Sequence, residues 1–328
     1  MSLPCLFPAH PTHDLGPERR WSFWFSVLTL LLAFGSLTAP AAATPAAPNL
    51  ASVNATAAIP GEDALLFDKH ADRPVPIASI TKLMTALVVV ESGQDMAEWV
   101  TFQERHLPAA ANAYSRIRIG SELRRKDVLR IALMSSENFA AYMLARSYPG
   151  GYDAFVAAMN AKARALGMEN TRFVDPTGLS SENIASARDL VRLAEAAMAH
   201  PMIGEYSTTG YFQARFRKPR YHLSFGNTNA LVHSDSWGVT LSKTGYLTEA
   251  GRCLLMVSKM GNKQVITVLL DSLGTRSPLG DAGRIKRWLA NGDAGSVAPA
   301  ARRYAQEKNA TLEAMAASGD ATQSAEIH

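Results

Sequence analysis

The stretch IASITKLMTALVVV, residues 77–90, combines a nearly continuous apolar run with a single cation. From Leu83 to Val90 every residue except Thr85 is apolar, which predicts a helix that is buried on nearly all sides. Lys82 stands at the start of this run, three residues after Ser79. Because an unpaired ammonium is costly to bury, this lysine needs either a path to solvent or a chemical role.

A chemical role is open to Lys82 because Ser79 lies one helical turn before it, on the same face. A serine at a helix N-terminus has a free backbone N–H and the helix dipole beside it. Desolvation lowers the pKa of a lysine, so Lys82 could take the hydroxyl proton as a general base. The motif S-x-x-K alone is weak, since a helix cap at Ser79 and a lysine extending to solvent also explain it.

Two further short motifs are candidates for the same site. The triplet SEN at residues 136–138 interrupts two apolar helical segments, where polar side chains can project from a loop held by buried helices. The triplet KTG at residues 243–245 ends a predicted strand and supplies a cation, a hydroxyl donor and a glycine that lets another backbone approach. A plain strand end with its lysine on the surface is the alternative interpretation of the second triplet.

The distribution of apolar segments predicts a mixed α/β (α+β) fold. Five segments have the pattern of β-strands, namely residues 51–59, 63–69, 237–246, 252–260 and 263–272. Gly261-Asn262 suits a hairpin turn between the last two. Since the strands come from both chain ends, we expect one antiparallel five-stranded sheet flanked by helices. A mainly helical subdomain at about 79–200 would be inserted, with the site in the cleft between the two parts.

The N-terminus has the pattern of a signal peptide. Arg19 and Arg20 precede an apolar run of 17 residues, and Ala41 and Ala43 fit a cleavage site. We therefore expect secretion to the periplasm, with an uncleaved membrane anchor as the alternative. The predicted organisation is a signal peptide (1–43), a linker (44–49), a catalytic domain (50–292) and a polar C-terminal tail (293–328).

The composition of the tail and of the whole chain argues against several further features. The tail is rich in Ala, Ser, Gly and charge, so we expect it to be mobile or loosely helical, and dispensable for chemistry from Ala298 onward.

The net charge of +4 is spread out, which does not indicate nucleic-acid binding. The eight His are scattered without H-E-x-x-H, so we expect no metal and no other cofactor. Cleavage would remove Cys5 and leave Cys253 alone, so we expect Cys253 to be a core residue and no internal disulfide to form. We expect the protein to be a monomer or a weak dimer.

The order and spacing of the three motifs carry more weight than any one of them. S-x-x-K, S-x-N and K-T-G follow one another with gaps of 57 and 107 residues, a set typical of penicillin-binding proteins and class A β-lactamases. The stretches PIASITKLMTALVV, ALMSSENFAAYMLA, FVDPTGLSSENIASARDL and NTNALV are also similar to one family. Over about residues 50–290 the chain resembles the penicillin-recognising serine D-alanyl-D-alanine carboxypeptidase/endopeptidase family, the low-molecular-mass penicillin-binding proteins.

This resemblance implies a role for each motif residue. Ser79 would be the acylated nucleophile, Lys82 its general base, and Ser136 a proton relay to the leaving amine. Asn138 would hold both the substrate amide and the Lys82 side chain. The resemblance also implies that Lys243, Thr244 and Gly245 bind the substrate, with the lysine and threonine recognising its terminal carboxylate. The backbone N–H groups of Ser79 and Tyr246 would form the oxyanion hole.

Within the family, the SSEN form and the short C-terminus resemble the endopeptidase branch, which cleaves D,D-crosslinks between peptidoglycan stem peptides. Removal of terminal D-Ala by a carboxypeptidase is the alternative, and β-lactams would be covalent inhibitors of either. A class A β-lactamase is disfavoured, because the chain lacks E-x-x-L-N and DPTGLSSEN occupies the corresponding region. A non-catalytic penicillin sensor has no support, since every catalytic residue type is present.

Overall fold

The computed structural model describes residues 46–106 and 114–325 of the chain. The proposed signal peptide, Cys5 and the first two residues of the linker lie outside these ranges. Within the described ranges, no helix is both long enough and apolar enough to cross a membrane.

Short strands are scattered through the first two thirds of the chain, and the longest strands lie near its end. The strands are β1 (Asn54–Ala58), β2 (Leu65–Lys69), β3 (Val75–Pro76), β4 (Trp99–Thr101), β5 (Glu122–Arg124), β6 (Ile184–Ala185), β7 (Tyr211–Phe216), β8 (Tyr221–Gly226), β9 (Val239–Leu247), β10 (Gly251–Met260) and β11 (Lys263–Ser272). The helices are α1 (Thr81–Glu91), α2 (Arg125–Met134), α3 (Asn138–Arg146), α4 (Gly151–Ala165), α5 (Ala187–Met198), α6 (Pro201–Ser207), α7 (Ser277–Asn291) and α8 (Pro299–Ala325).

The central sheet is antiparallel and has five strands in the order β2-β1-β11-β10-β9. Strand β1 from the beginning of the chain pairs with β11 from near its end, with Asn54 opposite Leu270 and Ala58 opposite Ile266. The predicted sheet built from both chain ends is therefore confirmed, as is the turn at Gly261-Asn262. Strand β9 is an edge strand, which leaves one side of it free to border a cleft.

Helices cover both faces of this sheet. On one face, Leu254 and Met256 pack with Ile285 and Trp288 of α7. On the other face, alternate residues such as Leu255 belong to the core that the sheet shares with the inserted helices. The strands are consequently apolar on both sides, which explains why β10 and β11 are nearly continuous hydrophobic runs in the sequence.

The inserted segment at 79–200 contains the predicted helices α1 to α5, and α1 lies at its centre with residues 81–89 buried. It also contains both strands of the small pair β4–β5, and β6, which pairs with β3 just before the segment; sequence patterns did not indicate these strands. The hairpin β7–β8 and helix α6 were likewise not predicted. Alternation of exposed Arg215 with buried Ala214 and Phe216 is the signal that indicates such a hairpin.

The C-terminal segment differs from the expectation of a mobile or loosely helical tail. Most of it is the helix α8, whose first turns pack on the domain with Ala301 and Ala305 buried. The Tyr304 hydroxyl donates to Asp271 Oδ1 at 2.5 Å, and Lys308 Nζ lies 3.4 Å from Asp271 Oδ2. The expectation failed because small alanines let the helix approach closely, so that few large apolar residues are needed.

The predicted linker also contributes contacts where it is described. Trp288 Nε1 of α7 donates to Ala46 O at 2.8 Å, and Asn49 N donates to Ala294 O at 2.8 Å. These bonds connect the described part of the predicted linker, residues 46–49, to α7 and to the segment that follows it.

Candidate active site

The centre of the site is the turn that leads into α1. Ser79 lies in a short 3₁₀ helix, Ala78–Ile80, and Lys82 follows in the first turn of α1. Lys82 Nζ is 2.9 Å from Ser79 Oγ, the contact that the spacing of S-x-x-K predicts. Lys82 is 1 % exposed, which rules out the alternative in which its side chain extends to solvent.

Two other oxygen atoms share the Lys82 ammonium group. Lys82 Nζ donates to Asn138 Oδ1 at 2.7 Å and to the carbonyl oxygen of Thr177 at 2.5 Å. Burial lowers the pKa of Lys82 to about 7, although the carboxylates of Asp175 and Glu137 act in the opposite direction. Near neutral pH a large fraction of Lys82 is therefore uncharged and able to accept a proton from Ser79.

The second motif forms a tight connection between α2 and α3. Ser136 adopts a left-handed backbone with φ of 61°, a conformation that costs a non-glycine residue of order 1–3 kcal/mol and is found preferentially at functional sites. Glu137 caps α3 by accepting from Phe139 N at 3.1 Å. The cap places Asn138 at the first position of the helix, beside Lys82.

The loop at residues 175–183 orients Lys82 from the other side. One carboxylate oxygen of Asp175 accepts from Thr177 N, Thr177 Oγ1 and Gly178 N at 2.5–2.8 Å. Asn183 fixes the base of the loop by accepting from Val174 N at 2.7 Å. This network points the Thr177 carbonyl at Lys82, and it is the part of the site for which the sequence suggested no role.

The third motif lies on the edge strand β9. Lys243 is 1 % exposed, and its Nζ donates to Thr244 O at 2.8 Å. Burial lowers the pKa of Lys243 well below its ordinary value, and the nearby charge of Lys82 adds to this effect. The alternative in which Lys243 lies on the protein surface is therefore wrong.

Gly245 explains how β9 approaches Ser79. A Cβ atom at this position would lie 3.0 Å from Ile77 O and 3.1 Å from Ser79 N, closer than a side chain tolerates without movement of its neighbours. The backbone N–H of Ser79 therefore lies against β9 at Gly245, one residue before Tyr246.

A cavity of about 470 Å³ opens along this edge. It brings together Ser79, Ser136, Thr244, Gly245 and Tyr246 from three separate parts of the chain, whereas Lys82 and Lys243 are buried behind its wall. Thr228 also lines the cavity, and its Oγ1 is 2.6 Å from Thr244 Oγ1. The stretch NTNALV at 227–232 contains this threonine, but sequence patterns alone assigned it no role. Over residues 46–106 and 114–325, no cluster of three or more His, Cys, Asp or Glu side chains could hold a metal ion.

Comparisons with known proteins agree with this geometry. A family model described as D-alanyl-D-alanine carboxypeptidase matches residues 42–274. The chain is 44 % identical over 310 residues to a D-alanyl-D-alanine endopeptidase of Escherichia coli, covering 94 % of this chain and 99 % of that protein. A D-alanyl-D-alanine endopeptidase of Pseudomonas aeruginosa is 43 % identical over 290 residues, covering 87 % and 94 %.

Solved structures agree as well. The crystal structure of a Streptomyces DD-transpeptidase superposes with a TM-score of 0.67 at 28 % identity, covering 74 % of this chain and 98 % of that one. A penicillin-binding protein of Listeria monocytogenes in a cefotaxime-bound form gives a TM-score of 0.63 at 26 % identity, covering 73 % and 97 %. The chain belongs to the D-alanyl-D-alanine carboxypeptidase family of serine peptidases.

Proposed function

We propose that this protein is a D,D-endopeptidase that cleaves crosslinks between peptidoglycan stem peptides through an acyl-enzyme on Ser79. The observation that carries the proposal is the contact of a buried Lys82 with Ser79 Oγ at the wall of an open cavity. The two relatives at 43–44 % identity, both named D-alanyl-D-alanine endopeptidase, favour crosslinks over terminal D-Ala as the substrate.

In the acylation step, uncharged Lys82 accepts the proton of Ser79 Oγ while that oxygen attacks the carbonyl carbon of the D-Ala residue at the crosslink. The new C–O bond converts the carbonyl into a tetrahedral oxyanion. The backbone N–H groups of Ser79 and Tyr246 are the donors that we assign to this oxyanion. Because Lys82 is desolvated, its pKa of about 7 suits it to both taking and returning a proton near neutral pH.

When the C–N bond of the crosslink breaks, the leaving amine needs a proton. We assign the delivery to Ser136, which borders the cavity and could relay the proton that Lys82 accepted. Asn138 holds Lys82 by accepting from its Nζ and has its amide N–H₂ available for the substrate. A water molecule then attacks the acyl carbon and loses a proton to Lys82. The ester C–O bond to Ser79 breaks, Lys82 returns the proton to Ser79 Oγ, and the stem peptide leaves as a free carboxylate.

Lys243 and Thr244 would bind the carboxylate that lies next to the scissile bond. Burial disfavours the charged form of Lys243, and a carboxylate within hydrogen-bond distance favours it. Lys243 is therefore stabilised in its charged form when a substrate carboxylate binds beside it. A peptidoglycan substrate also fits the proposed export of the protein to the periplasm.

The test is incubation of the purified protein with intact sacculi, followed by separation of the released muropeptides. We expect crosslinked dimers to be converted to uncrosslinked monomers, and we expect Ser79→Ala to leave the dimers intact. Release of free D-Ala from pentapeptides without loss of dimers would replace the proposal with a carboxypeptidase. Rapid turnover of nitrocefin without either peptidase reaction would identify a β-lactamase instead.

A further inference from the structure

Arg252 lies at the edge of the catalytic cavity and has no part in the reaction described above. It is the second residue of β10, directly opposite Tyr246 of β9 in the sheet register. Paired strands are about 4.8 Å apart, so Arg252 is one strand away from the residue that follows the K-T-G motif. Both side chains line the cavity that contains Ser79.

The guanidinium of Arg252 packs on the ring of Tyr246, but no described carboxylate neutralises its charge. Its Cζ lies 3.8 Å from the centre of the Tyr246 ring, a cation–π contact that fixes its position at the cavity wall. In the part of the chain that the structure describes, no carboxylate pairs with Arg252 and no hydrogen bond uses the N–H groups of its guanidinium. A guanidinium has five N–H donors in a planar fork that matches a carboxylate, and this one is half-buried.

We infer that Arg252 binds an acidic group on the leaving stem of a crosslinked substrate and thereby determines the preference for crosslinks. The inference rests on the proposed function. Tyr246 acts as the positioning residue, because its ring holds the guanidinium over the cavity.

The proposed position of the leaving stem follows from where the cations lie. Lys243 and Thr244 are assigned to the carboxylate beside the scissile bond, and Arg252 lies on the neighbouring strand, opposite Tyr246, at the wall of the same cavity. A terminal D-Ala leaving group ends at that first carboxylate. A crosslinked stem continues beyond it and carries further carboxylates, so only the crosslinked substrate brings a negative charge to Arg252.

The experiment compares Arg252→Gln and Arg252→Lys with the wild-type protein on three substrates. They are a crosslinked muropeptide dimer, the same dimer amidated on the leaving stem at every carboxylate except the one beside the scissile bond, and penicillin, which reports acylation without a leaving stem. Arg287→Gln is the matched control, since Arg287 is an exposed arginine of α7 outside the cavity. Melting temperatures show whether each variant is folded.

For Arg252→Gln we expect kcat/KM on the dimer to fall roughly 10- to 150-fold relative to kcat/KM for penicillin acylation, mainly through KM. This is the range for loss of a charge-assisted hydrogen bond. Arg252→Lys should recover part of the loss. On the amidated dimer, wild type and Arg252→Gln should have similar kcat/KM values. Arg287→Gln should keep the wild-type ratio within about twofold.

Two results would overturn the inference while leaving the proposed function intact. One is cleavage of the dimer by Arg252→Gln with the wild-type ratio. The other is an equal loss on acidic and amidated dimers, which would give Arg252 a structural role only. If the wild-type protein releases D-Ala but does not cleave the dimer, the proposed function fails and this inference fails with it.

Discussion

At the scale of single residues, two buried lysines determine what the site can do. Lys82 and Lys243 are each 1 % exposed, and burial is the main cause of the lowered pKa of both. Lys82 contacts the nucleophile directly, whereas Lys243 bonds the backbone of the edge strand at Thr244. In the proposed mechanism, the same physical effect serves a base at one position and a receptor for substrate charge at the other.

The proposed role of Lys82 as a base predicts that Lys82→Arg is nearly inactive. Arginine stays protonated and cannot take the Ser79 proton. We expect the penicillin acylation rate to fall at least by the roughly 10²–10⁴-fold typical of general-base catalysis. Acylation by stopped-flow or intact-mass analysis measures the effect, and the melting temperature controls for folding. Acylation at the wild-type rate would mean that another group takes the proton.

The pKa of Lys82 predicts the pH dependence of acylation. Lys82 must be uncharged to act, so kcat/KM should rise with pH and level off above about 7. Glu137→Gln removes a negative charge that raises this pKa, and so should shift the rising limb to lower pH. Glutamine can still accept from Phe139 N, which preserves the cap of α3.

A pH profile of penicillin acylation for wild type, Glu137→Gln and Glu249→Gln checks this prediction. Glu249 is an exposed residue outside the site, so its variant should keep the wild-type limb. A limb that moves to higher pH in Glu137→Gln would contradict the assignment of Lys82 as the titrating base.

Lys243 as a charge receptor predicts a different pattern of loss. Lys243→Gln should lower kcat/KM roughly 10- to 150-fold on substrates with a carboxylate beside the scissile bond, the range for a charge-assisted hydrogen bond. A matched substrate with an amide in that place should be less sensitive. Equal losses on the two substrates would show that Lys243 does not read this charge.

At the scale of elements, the loop at 175–183 acts as a clamp on the turn that carries Ser79. Gly178 has a left-handed backbone with φ of 78°, and a Cβ atom there would lie 2.0 Å from Ala78 O. Next to it, the Thr177 carbonyl accepts from Lys82 Nζ. The loop therefore fixes both members of the Ser79–Lys82 pair at once.

Gly178→Ala should accordingly damage both stability and acylation. The matched control is Gly167→Ala, since Gly167 has a similar φ of 67° but no atom within 4 Å of the added Cβ. The control should cost about 1–2 kcal/mol from backbone strain, and Gly178→Ala about 1–3 kcal/mol more from the clash. Denaturant unfolding and penicillin acylation rates provide the comparison. If the two variants behave alike, the close approach to Ala78 does not matter.

At the scale of the whole molecule, contacts between distant parts of the chain hold the sheet together. Asp281 of α7 accepts from Ala51 N at 2.9 Å and from Ser52 N at 2.7 Å, which ties the start of the domain to its last strand–helix unit. On the other side, Tyr304 of α8 reaches Asp271 at the end of β11. Asp271 has a left-handed backbone with φ of 55°, so these contacts support a strained strand end.

Removal of α8 should therefore destabilise the domain. A chain that ends at Val297 loses the bond from Tyr304 to Asp271, worth about 1.5–3 kcal/mol as a charge-assisted hydrogen bond. For a domain of this size the melting temperature should fall by roughly 3–12 °C. Penicillin acylation well below that temperature should persist, because α8 supplies no residue to the cavity. A chain that ends at Leu312 keeps these contacts and should melt like the full chain.

The sequence by itself determined the elements and the motif residues of the site. Ser79 and Lys82 meet because they are one helical turn apart, and the strands are visible because their residues alternate or form apolar runs. Such signals involve residues that are close in sequence, so hydrophobic periodicity and motif spacing are enough to reveal them. The order of S-x-x-K, S-x-N and K-T-G then identified the family, which the comparisons confirm.

Only the tertiary structure decided which residues surround those motifs. The carbonyl of Thr177 binds Lys82 across 95 positions of sequence, and Arg252 faces Tyr246 because of a strand register. The docking of α8 through Tyr304 on Asp271 is of the same kind. A backbone carbonyl has no residue signature, and a cation at the start of a strand looks the same whether it faces solvent or a cavity. These contacts depend on how separately folded segments pack, and no local pattern records that.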